Sequence, residues 1–171
     1  QEEQKKHVPY TFGVPENDEQ WQELCGSWSA AERELVVKRI LACNHPSLGE
    51  SNSEKLEHFL LVLIERLALV GSGGGGGDDD ERGDIDCQAR AIAFLCREIG
   101  GEISAVAFTK WIKSVYERSA AVSKWPSEGE LLGLKLALDV FPVTDFRHLV
   151  STPVMIAICG CIARAGGNLG E

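Results

Sequence analysis

Apolar residues recur through most of the chain at the three- and four-residue spacing of an amphipathic helix. The clearest stripe follows Ser51 and repeats at i, i+3, i+4 and i+7. No segment shows convincing alternation of apolar and polar residues, the pattern of a half-buried strand. The sequence therefore predicts an all-α protein of about seven helices. The stripe after Ser51 consists of Leu56, Phe59, Leu60, Leu63, Ile64 and Leu67.

Three of the predicted helices begin with a capping box. In this motif a serine and a glutamate three residues later satisfy backbone N–H groups that would otherwise lack partners. We expect each pair to mark a helix N-terminus. The pairs are Ser29 with Glu32, Ser51 with Glu54, and Ser127 with Glu130.

Other residues predict further helix boundaries. Asn44 can adopt the left-handed turn that ends the second helix, and Pro142 ends the sixth. Thr152 followed by Pro153 predicts the start of the last helix, as an N-cap and a proline at the first helical position. This last helix is apolar on nearly all sides through Ile162.

The helices fall on either side of a low-complexity stretch rich in glycine and aspartate. We expect an extended segment over residues 1–16, N-terminal helices over 17–70, a flexible linker over 71–84, and C-terminal helices of the same domain over 85–166. The glycine run is native or engineered, and the sequence does not distinguish these origins. Short turns between neighbouring helices favour stacked hairpins of the HEAT or armadillo kind, and the alternative is an irregular helical bundle.

Composition excludes several classes of function. The net charge of −9 over 171 residues disfavours binding of nucleic acid by bulk attraction. The longest apolar run, Val154 to Ile162, is shorter than the ~18 residues of a membrane span. The six cysteines lie mostly in apolar helical surroundings, which favours reduced thiols in the nucleus or cytosol. The only methionine is Met155, so we expect the chain to be part of a longer protein.

Catalytic and metal-binding patterns are weak. Cys43 and His45 form the only close pair of a nucleophile and a base, but Pro46 moves His45 out of helical geometry. A histidine at a helix end commonly bonds terminal carbonyls, so a structural role is favoured. The spacings Cys-x-x-Cys and His-x-x-x-His, which are typical of zinc sites, do not occur. We therefore expect no enzyme, no cofactor and no metal.

The segment from Phe141 to His148 is denser in specific polar residues than a routine turn requires. In the structural interpretation, Thr144 or Asp145 caps a turn, Phe146 packs against the core, and the last two side chains satisfy neighbouring carbonyls. In the functional interpretation, Arg147 and His148 project toward a partner carboxylate or an RNA phosphate. The candidate contact residues of this segment are Asp145, Phe146, Arg147 and His148.

Trp125 is a further candidate for partner contact. It precedes Pro126 in a predicted loop, and tryptophan is enriched at binding hot spots. A loop tryptophan that covers the core is an equally good interpretation. By contrast, Trp111 lies on a predicted core stripe.

Three segments in this order resemble the nucleolar protein fourteen family. The resemblance covers most of the chain outside residues 71–86. Leu149 is a departure, because the family usually has proline there, and the corner is then less rigid. The resemblance rests on Pro9-Tyr-Thr-Phe12, on Cys43-Asn-His-Pro-Ser-Leu48 with Glu54-Lys-Leu56, and on Phe141-Pro142, Asp145-Phe-Arg-His148, Val150 and Thr152-Pro153.

The resemblance implies a non-catalytic scaffold of the small-subunit processome, in the nucleus and nucleolus. It also implies a helical-repeat body and two partners, nucleolar complex protein four and the small-subunit pseudouridine methyltransferase. No membrane and no small-molecule substrate are expected. The alternative function is direct binding of ribosomal RNA through Arg147, Lys110, Lys113 and Lys124. The structural motif residues are Asn44, His45, Pro46, Pro142 and Pro153.

Overall fold

A computed structural model describes residues 8–26, 28–73, 79–122, 124–141 and 148–167, with side chains except at 79–82 and 165–167. These residues form seven α-helices and one 3₁₀ turn, with no strand among them, so the all-α prediction is confirmed. The stacked-hairpin arrangement stays a prediction. The elements are α1 (Asp18–Cys25), α2 (Ala30–Cys43), the 3₁₀ turn (Pro46–Leu48), α3 (Asn52–Val70), α4 (Asp79–Ile99), α5 (Gly101–Val122), α6 (Glu128–Val140) and α7 (Ser151–Gly167).

Helix α3 lies at the centre of the fold. It packs against α4, α5 and α6, while α2 packs against α4 and α7 packs against α5 and α6. The stripe predicted after Ser51 supplies this contact, because its six apolar residues are all fully buried. One buried cluster contains residues from both sides of the glycine-rich stretch, including Phe59 of α3 and Trp111 of α5.

Two capping boxes are confirmed and one is wrong. The Ser29 N–H donates to Glu32 at 2.8 Å, and the Ser127 N–H donates to Glu130 at 2.7 Å. Ser51 makes no side-chain cap, because it already has helical backbone angles of φ −77° and ψ −8°. The chain instead turns before Ser51, where the N–H of Asn52 donates to the carbonyl of Gly49 at 3.1 Å.

Other predicted boundaries also differ from the structure. Asn44 ends α2 with φ −125°, which lies outside the left-handed region. Helix α6 ends at Val140, two residues before Pro142, which lies outside the described residues. Helix α4 begins at Asp79, inside the predicted linker of residues 71–84. Its first residues are acidic, and negative charge stabilises a helix N-terminus.

Glycines permit close contact between helices at two places in the core. A Cβ added at Gly129, near the start of α6, would overlap the backbone carbonyl of Ala68 in α3. A Cβ added at Gly133, one turn further along α6, would overlap the indole ring of Trp111. Helix α6 therefore lies closer to α3 and α5 than any side chain at these positions would allow.

Candidate partner-binding surface

The structure brings the first two family segments together. Residues 8–16, here called the N-terminal strap, run without helix along α2 and α3. Arg39 donates to the carbonyls of Val8 and Pro9, and its guanidinium lies 4.6 Å from the centre of the Tyr10 ring. Asn44 donates to the carbonyl of Phe12 at 3.5 Å. Arg39 and Asn44 thus hold the strap by its backbone. The two segments that resemble the family, Pro9–Phe12 and Cys43–Leu48, therefore form one structural unit.

Cys43 and His45 have separate structural partners. The Cys43 thiol lies 3.8 Å from the carbonyl of Tyr10. The Nδ1 atom of His45 accepts from the Ser47 N–H at 3.2 Å, and Pro46 is the first residue of the 3₁₀ turn that this contact caps. This geometry supports the structural interpretation of the pair, although His45 caps an N–H rather than bonding a terminal carbonyl.

The buried thiols are held in their neutral form. Burial raises the pKa of Cys25 to about 12 and that of Cys96 to about 12, and it also raises the pKa of Cys87. A thiolate is the nucleophilic form, so these three cysteines are poor nucleophiles. In the part of the chain that the structure describes, no group of three or more His, Cys, Asp or Glu residues could hold a metal ion.

The corner before α7 is organised by His148. Its Nδ1 atom accepts from the Val150 N–H at 3.2 Å and from the Ser151 N–H at 3.4 Å, and its own N–H donates to Thr152 Oγ1 at 3.1 Å. The prediction that Thr152 is the N-cap is therefore wrong, because the imidazole caps the helix earlier and Pro153 is its third residue. His148 also bonds N–H groups here, where the sequence interpretation expected carbonyls.

Aromatic packing anchors the same corner to the core. The ring centres of Phe141 and His148 lie 5.7 Å apart, and those of Phe108 and Phe141 lie 5.5 Å apart. His148 is thus a positioning residue for α7. The remaining candidates of this segment, Pro142, Asp145, Phe146 and Arg147, lie outside the described residues.

Helix α7 buries one side and exposes the other. Val150, Val154, Ala157 and Cys161 face the core with a spacing of four, three and four residues. The opposite side, together with Leu149 just before the helix, is uncharged and exposed as far as Ala163. We call this surface the outer face of α7, and it consists of Leu149, Thr152, Met155, Ile156, Cys159, Ile162 and Ala163.

A shallow groove continues this surface toward α5. Its volume is about 240 Å³, and Leu149 lies at its border with 72% of its surface exposed. The α5 residues that line the groove are Ala105, Val106, Thr109 and Lys110. The Thr109 hydroxyl donates to the carbonyl of Leu149 at 3.1 Å, which fixes the chain just before the start of α7 against α5.

The residue pattern alone does not mark the outer face of α7 as a binding surface. The sequence does contain a relevant signal, because α7 is apolar on nearly all sides and such a helix is normally covered on nearly all sides. In this structure only one side is covered, and Ile156 and Ile162 each expose more than half of their surface. A continuous exposed apolar patch of this kind is typical of an interaction site.

Trp125 remains a candidate for partner contact. It is 51% exposed in the connection between α5 and α6, whereas Pro126 beside it is buried. Trp21 and Trp111 are buried in the core, and the ring centres of Trp21 and Phe59 lie 5.5 Å apart.

The lysines proposed for RNA contact have acidic neighbours. Lys110 forms an ion pair with Glu57 at 2.5 Å, and Lys113 lies 3.8 Å from Glu117. These carboxylates reduce the positive potential that phosphates would meet. Arg147 lies outside the described residues, and Lys124 is exposed before α6.

The capping box of Ser127 and Glu130 gives a prediction about protein stability at acidic pH. Partial burial raises the pKa of Glu130, but the bonds from Arg118 and Ser127 outweigh it and hold this pKa below its usual value of 4.5. A carboxyl with a lowered folded-state pKa stabilises the fold above its unfolded pKa, and this contribution is lost as the pH falls.

We expect Glu130→Gln to reduce the free energy of unfolding by about 1 kcal/mol near neutral pH, where the charged cap is complete. The difference between wild type and variant should shrink as the pH falls below 4.5. Urea unfolding at a series of pH values measures it. A difference that is constant with pH would show that the charge of Glu130 contributes nothing.

Curated relatives of the chain carry nucleolar names. The chain is 32% identical over 165 residues to nucleolar protein 14 from Homo sapiens, an alignment that covers 90% of the chain and 18% of that relative. It is 29% identical over 159 residues to the nucleolar protein 14 homolog from Drosophila melanogaster, covering 92% of the chain and 19% of that relative. It is 26% identical over 151 residues to the probable nucleolar complex protein 14 from Yarrowia lipolytica, covering 88% and 17%.

The chain thus spans about a fifth of the length of these curated relatives. No solved structure matches it. Among the described residues, no helix is both long enough and apolar enough to cross a membrane. The names of the relatives confirm the predicted nuclear and nucleolar location. The model of the Nop14-like family matches residues 1–166, and the chain therefore belongs to this family, a group of nucleolar ribosome biogenesis proteins.

Proposed function

We propose that this chain is a non-catalytic scaffold segment of the small-subunit processome, which supports assembly of the pre-ribosome and processing of small-subunit ribosomal RNA through protein–protein contacts. The observation that carries the proposal is the outer face of α7, an uncharged, largely apolar and exposed helix surface. When another protein covers such a surface, apolar area is removed from water and the free energy falls.

The separate partners of Cys43 and His45 support a role without catalysis. A thiol nucleophile needs a base within hydrogen-bond reach, and here each of the two side chains is used to hold the backbone. The polar side chains of the strap and of the corner before α7 thus fix the course of the backbone, as expected of a scaffold.

We propose nucleolar complex protein four and the small-subunit pseudouridine methyltransferase as the partners. The contacts are placed at the corner before α7 and at the exposed loop tryptophan. The proposed contact residues are Asp145, Phe146, Arg147, His148 and Trp125, and the outer face of α7 begins at Leu149, directly after His148 in the chain.

Direct binding of ribosomal RNA is the weaker proposal. Lys110 and Lys113 already have carboxylate neighbours, and the outer face of α7 carries no charge. Binding of a structured RNA that weakens steeply with salt would favour this alternative, because it reports release of counterions from phosphates.

Co-elution of purified proteins tests the scaffold proposal. We expect the chain to elute with nucleolar complex protein four in size-exclusion chromatography, and Trp125→Ala and Arg147→Ala to weaken the complex about tenfold each, as hot-spot residues do. Arg90→Ala is the matched control, since Arg90 is exposed on α4, a helix that packs against α2 and α3. Failure of the wild-type chain to elute with either proposed partner would refute the proposal.

A further inference from the structure

We infer that the N-terminal strap binds an extended segment of another protein by strand pairing, and that a basic side chain of this segment enters the cavity beside the strap. The pairing groups are the backbone N–H and C=O groups of Thr11 and Gly13, here called the free edge of the strap. The inference deepens the proposed scaffold role and rests on it. It assigns a chemical class of partner to a segment whose binding capacity the proposed function does not use.

Side chains of α2, of its C-cap Asn44 and of α3 hold the strap at its carbonyl groups. Among the described residues, each of their hydrogen bonds to the strap backbone ends on an oxygen atom. The N–H groups of residues 11–14 have no acceptor in this part of the chain, so they are available to a partner. The oxygens in use belong to Val8, Pro9, Tyr10, Phe12 and Glu16.

The strap shows the alternation of an extended chain. Over residues 11–15 it runs without helix, turn or bend. Phe12 and Val14 are half-buried and pack against the core, whereas Thr11 and Gly13 are exposed. This two-residue period is that of a β-strand, in which successive residues direct their N–H and C=O groups to opposite sides. The backbone groups of Thr11 and Gly13 therefore point to one common side.

The free edge lies on the side away from Asn44. The Phe12 carbonyl accepts from Asn44, so the groups of Thr11 and Gly13 lie on the opposite side of the extended chain. Two N–H and two C=O groups on alternate residues are the set that a strand offers to an antiparallel neighbour. An unpaired edge of this kind is a template for a second chain. Because α2 and α3 already hold the strap, its pairing requires little further ordering.

Gly13 keeps the free edge uncovered. Among the described glycines only Gly100 has a positive φ, so the backbone conformation does not require glycine at this position. A Cβ added at Gly13 would meet nothing within 4 Å, so close packing does not require it either. The residue instead leaves open space beside the backbone, which a second strand needs for close approach.

The cavity beside the strap indicates the charge of the partner. Its volume is about 570 Å³, and it is lined mainly by residues 13–17 and the first turns of α3. Glu16, Glu54 and Lys55 line it, and none of the three forms an ion pair among the described residues. Two carboxylates against one ammonium favour a lysine or arginine side chain. Gly13 belongs to both the free edge and the cavity, so one bound segment can use both.

Other occupants fit the strap less well. A second copy would bring together two chains of net charge −9, and like charges repel. The phosphates of a nucleic acid would meet the carboxylates of Glu16 and Glu54. A helix uses its backbone groups internally and cannot pair with the free edge. An extended segment with a basic side chain therefore fits best.

Amide exchange measures the pairing residue by residue. The probe is a synthetic peptide of about nine residues, in which valine and threonine alternate around a central arginine. At a peptide concentration ten times the Kd, we expect exchange of the Thr11 and Gly13 amide protons with water, followed by NMR, to slow about tenfold. Exchange at Phe12 and Val14 should not change, because their N–H groups face the other side, and they serve as internal controls.

Backbone changes test the pairing in both partners. Gly13→Pro removes one N–H group of the free edge and should weaken peptide binding about tenfold. Gly13→Ala keeps this group and should bind as the wild type does. Equal thermal midpoints for the two variants show that both fold. In the peptide, N-methylation of every second residue should abolish binding in one register and leave it unchanged in the other.

A pair of glutamate variants tests the charge of the cavity. Glu54 and Glu65 are both exposed on α3 and form no ion pair among the described residues, but of the two Glu54 alone lines the cavity. Glu54→Gln should weaken binding of the arginine peptide about threefold at low salt, while Glu65→Gln should leave it unchanged. A peptide with glutamine in place of the arginine should bind both variants equally.

Several results would overturn the inference. Equal slowing at all four amides, no slowing at saturating peptide, or equal binding of both N-methylated peptides would exclude strand pairing. Equal affinity for a peptide with a central glutamate would exclude a basic partner. Protection of the free edge without peptide, together with dimers in sedimentation, would assign it to a second copy. Peptide binding that appears only after deletion of residues 1–7 would assign it to the chain's own N-terminus. The predicted pattern without co-elution of either processome partner would refute the proposed function and leave this inference intact.

Discussion

Gly129→Ala is expected to destabilise the protein by about 3 kcal/mol, the upper range for overpacking a well-packed core. The added methyl would overlap the carbonyl oxygen of Ala68, which belongs to the backbone of α3. A side chain could rotate away, but a backbone carbonyl in a helix cannot move without displacing its neighbours. The start of α6 must therefore shift.

That shift would also break polar contacts at the joint between α3 and α6. The Ser72 hydroxyl donates to the carbonyl of Ala68 at 2.6 Å and lies 2.8 Å from the Ser127 hydroxyl. Ser127 in turn caps α6 together with Glu130. Thermal unfolding followed by circular dichroism should show a midpoint lowered by about 10 °C, given the usual 2–4 °C per kcal/mol for a chain of this size.

Gly83→Ala is the matched control. Gly83 is an exposed glycine of α4, and an added Cβ there would meet nothing within 4 Å. We expect it to stabilise the protein by about 0.5–1 kcal/mol, because alanine loses less conformational entropy than glycine in a helix. Equal unfolding midpoints for the two variants would contradict the close contact between α6 and α3.

Local sequence patterns predict most of the helices. The capping boxes at Ser29 and Ser127 and the stripe of α3 depend on residues within one or two turns of each other, so their spacing is visible in the chain. The capping box predicted at Ser51 does not form, because the preceding turn already gives Ser51 helical backbone angles. The serine-to-glutamate spacing carries no information about that turn. Local patterns do not predict the contact at Gly129 for another reason, because it depends on Ala68, which is distant in the sequence.

The candidate surface could be predicted only in part. The corner before α7 stands out because its residue types are unusual, yet the role of His148 depends on hydrogen bonds that backbone N–H groups donate to its ring, whereas Thr152 with Pro153 predicts a different cap. The outer face of α7 is apolar in the sequence, as a buried helix would be. Only the packing of α7 against α5 and α6 shows which side is left uncovered.

Gly133 and Trp111 are expected to be strongly coupled. A Cβ at Gly133 would overlap Cη2 of the indole and lie 2.9 Å from Cζ2, and the ring is only 2% exposed, so it has little room to move. We expect Gly133→Ala to cost about 1–2 kcal/mol, as the overlap outweighs the gain of about 1 kcal/mol in helix propensity. Trp111→Phe should cost about 1–3 kcal/mol through the cavity that it leaves.

The double variant distinguishes this contact from two independent losses. Phenylalanine lacks the outer ring edge that meets Gly133, and it sacrifices no hydrogen bond, because Nε1 of Trp111 is buried without an acceptor among the described residues. Gly133→Ala should therefore become neutral or stabilising in the Trp111→Phe background, giving a coupling energy of about 2 kcal/mol in a double-mutant cycle from urea unfolding. Additive losses would mean that the ring does not lie against α6. Because α6 supports α7, the same cycle tests the packing that holds the outer face in place.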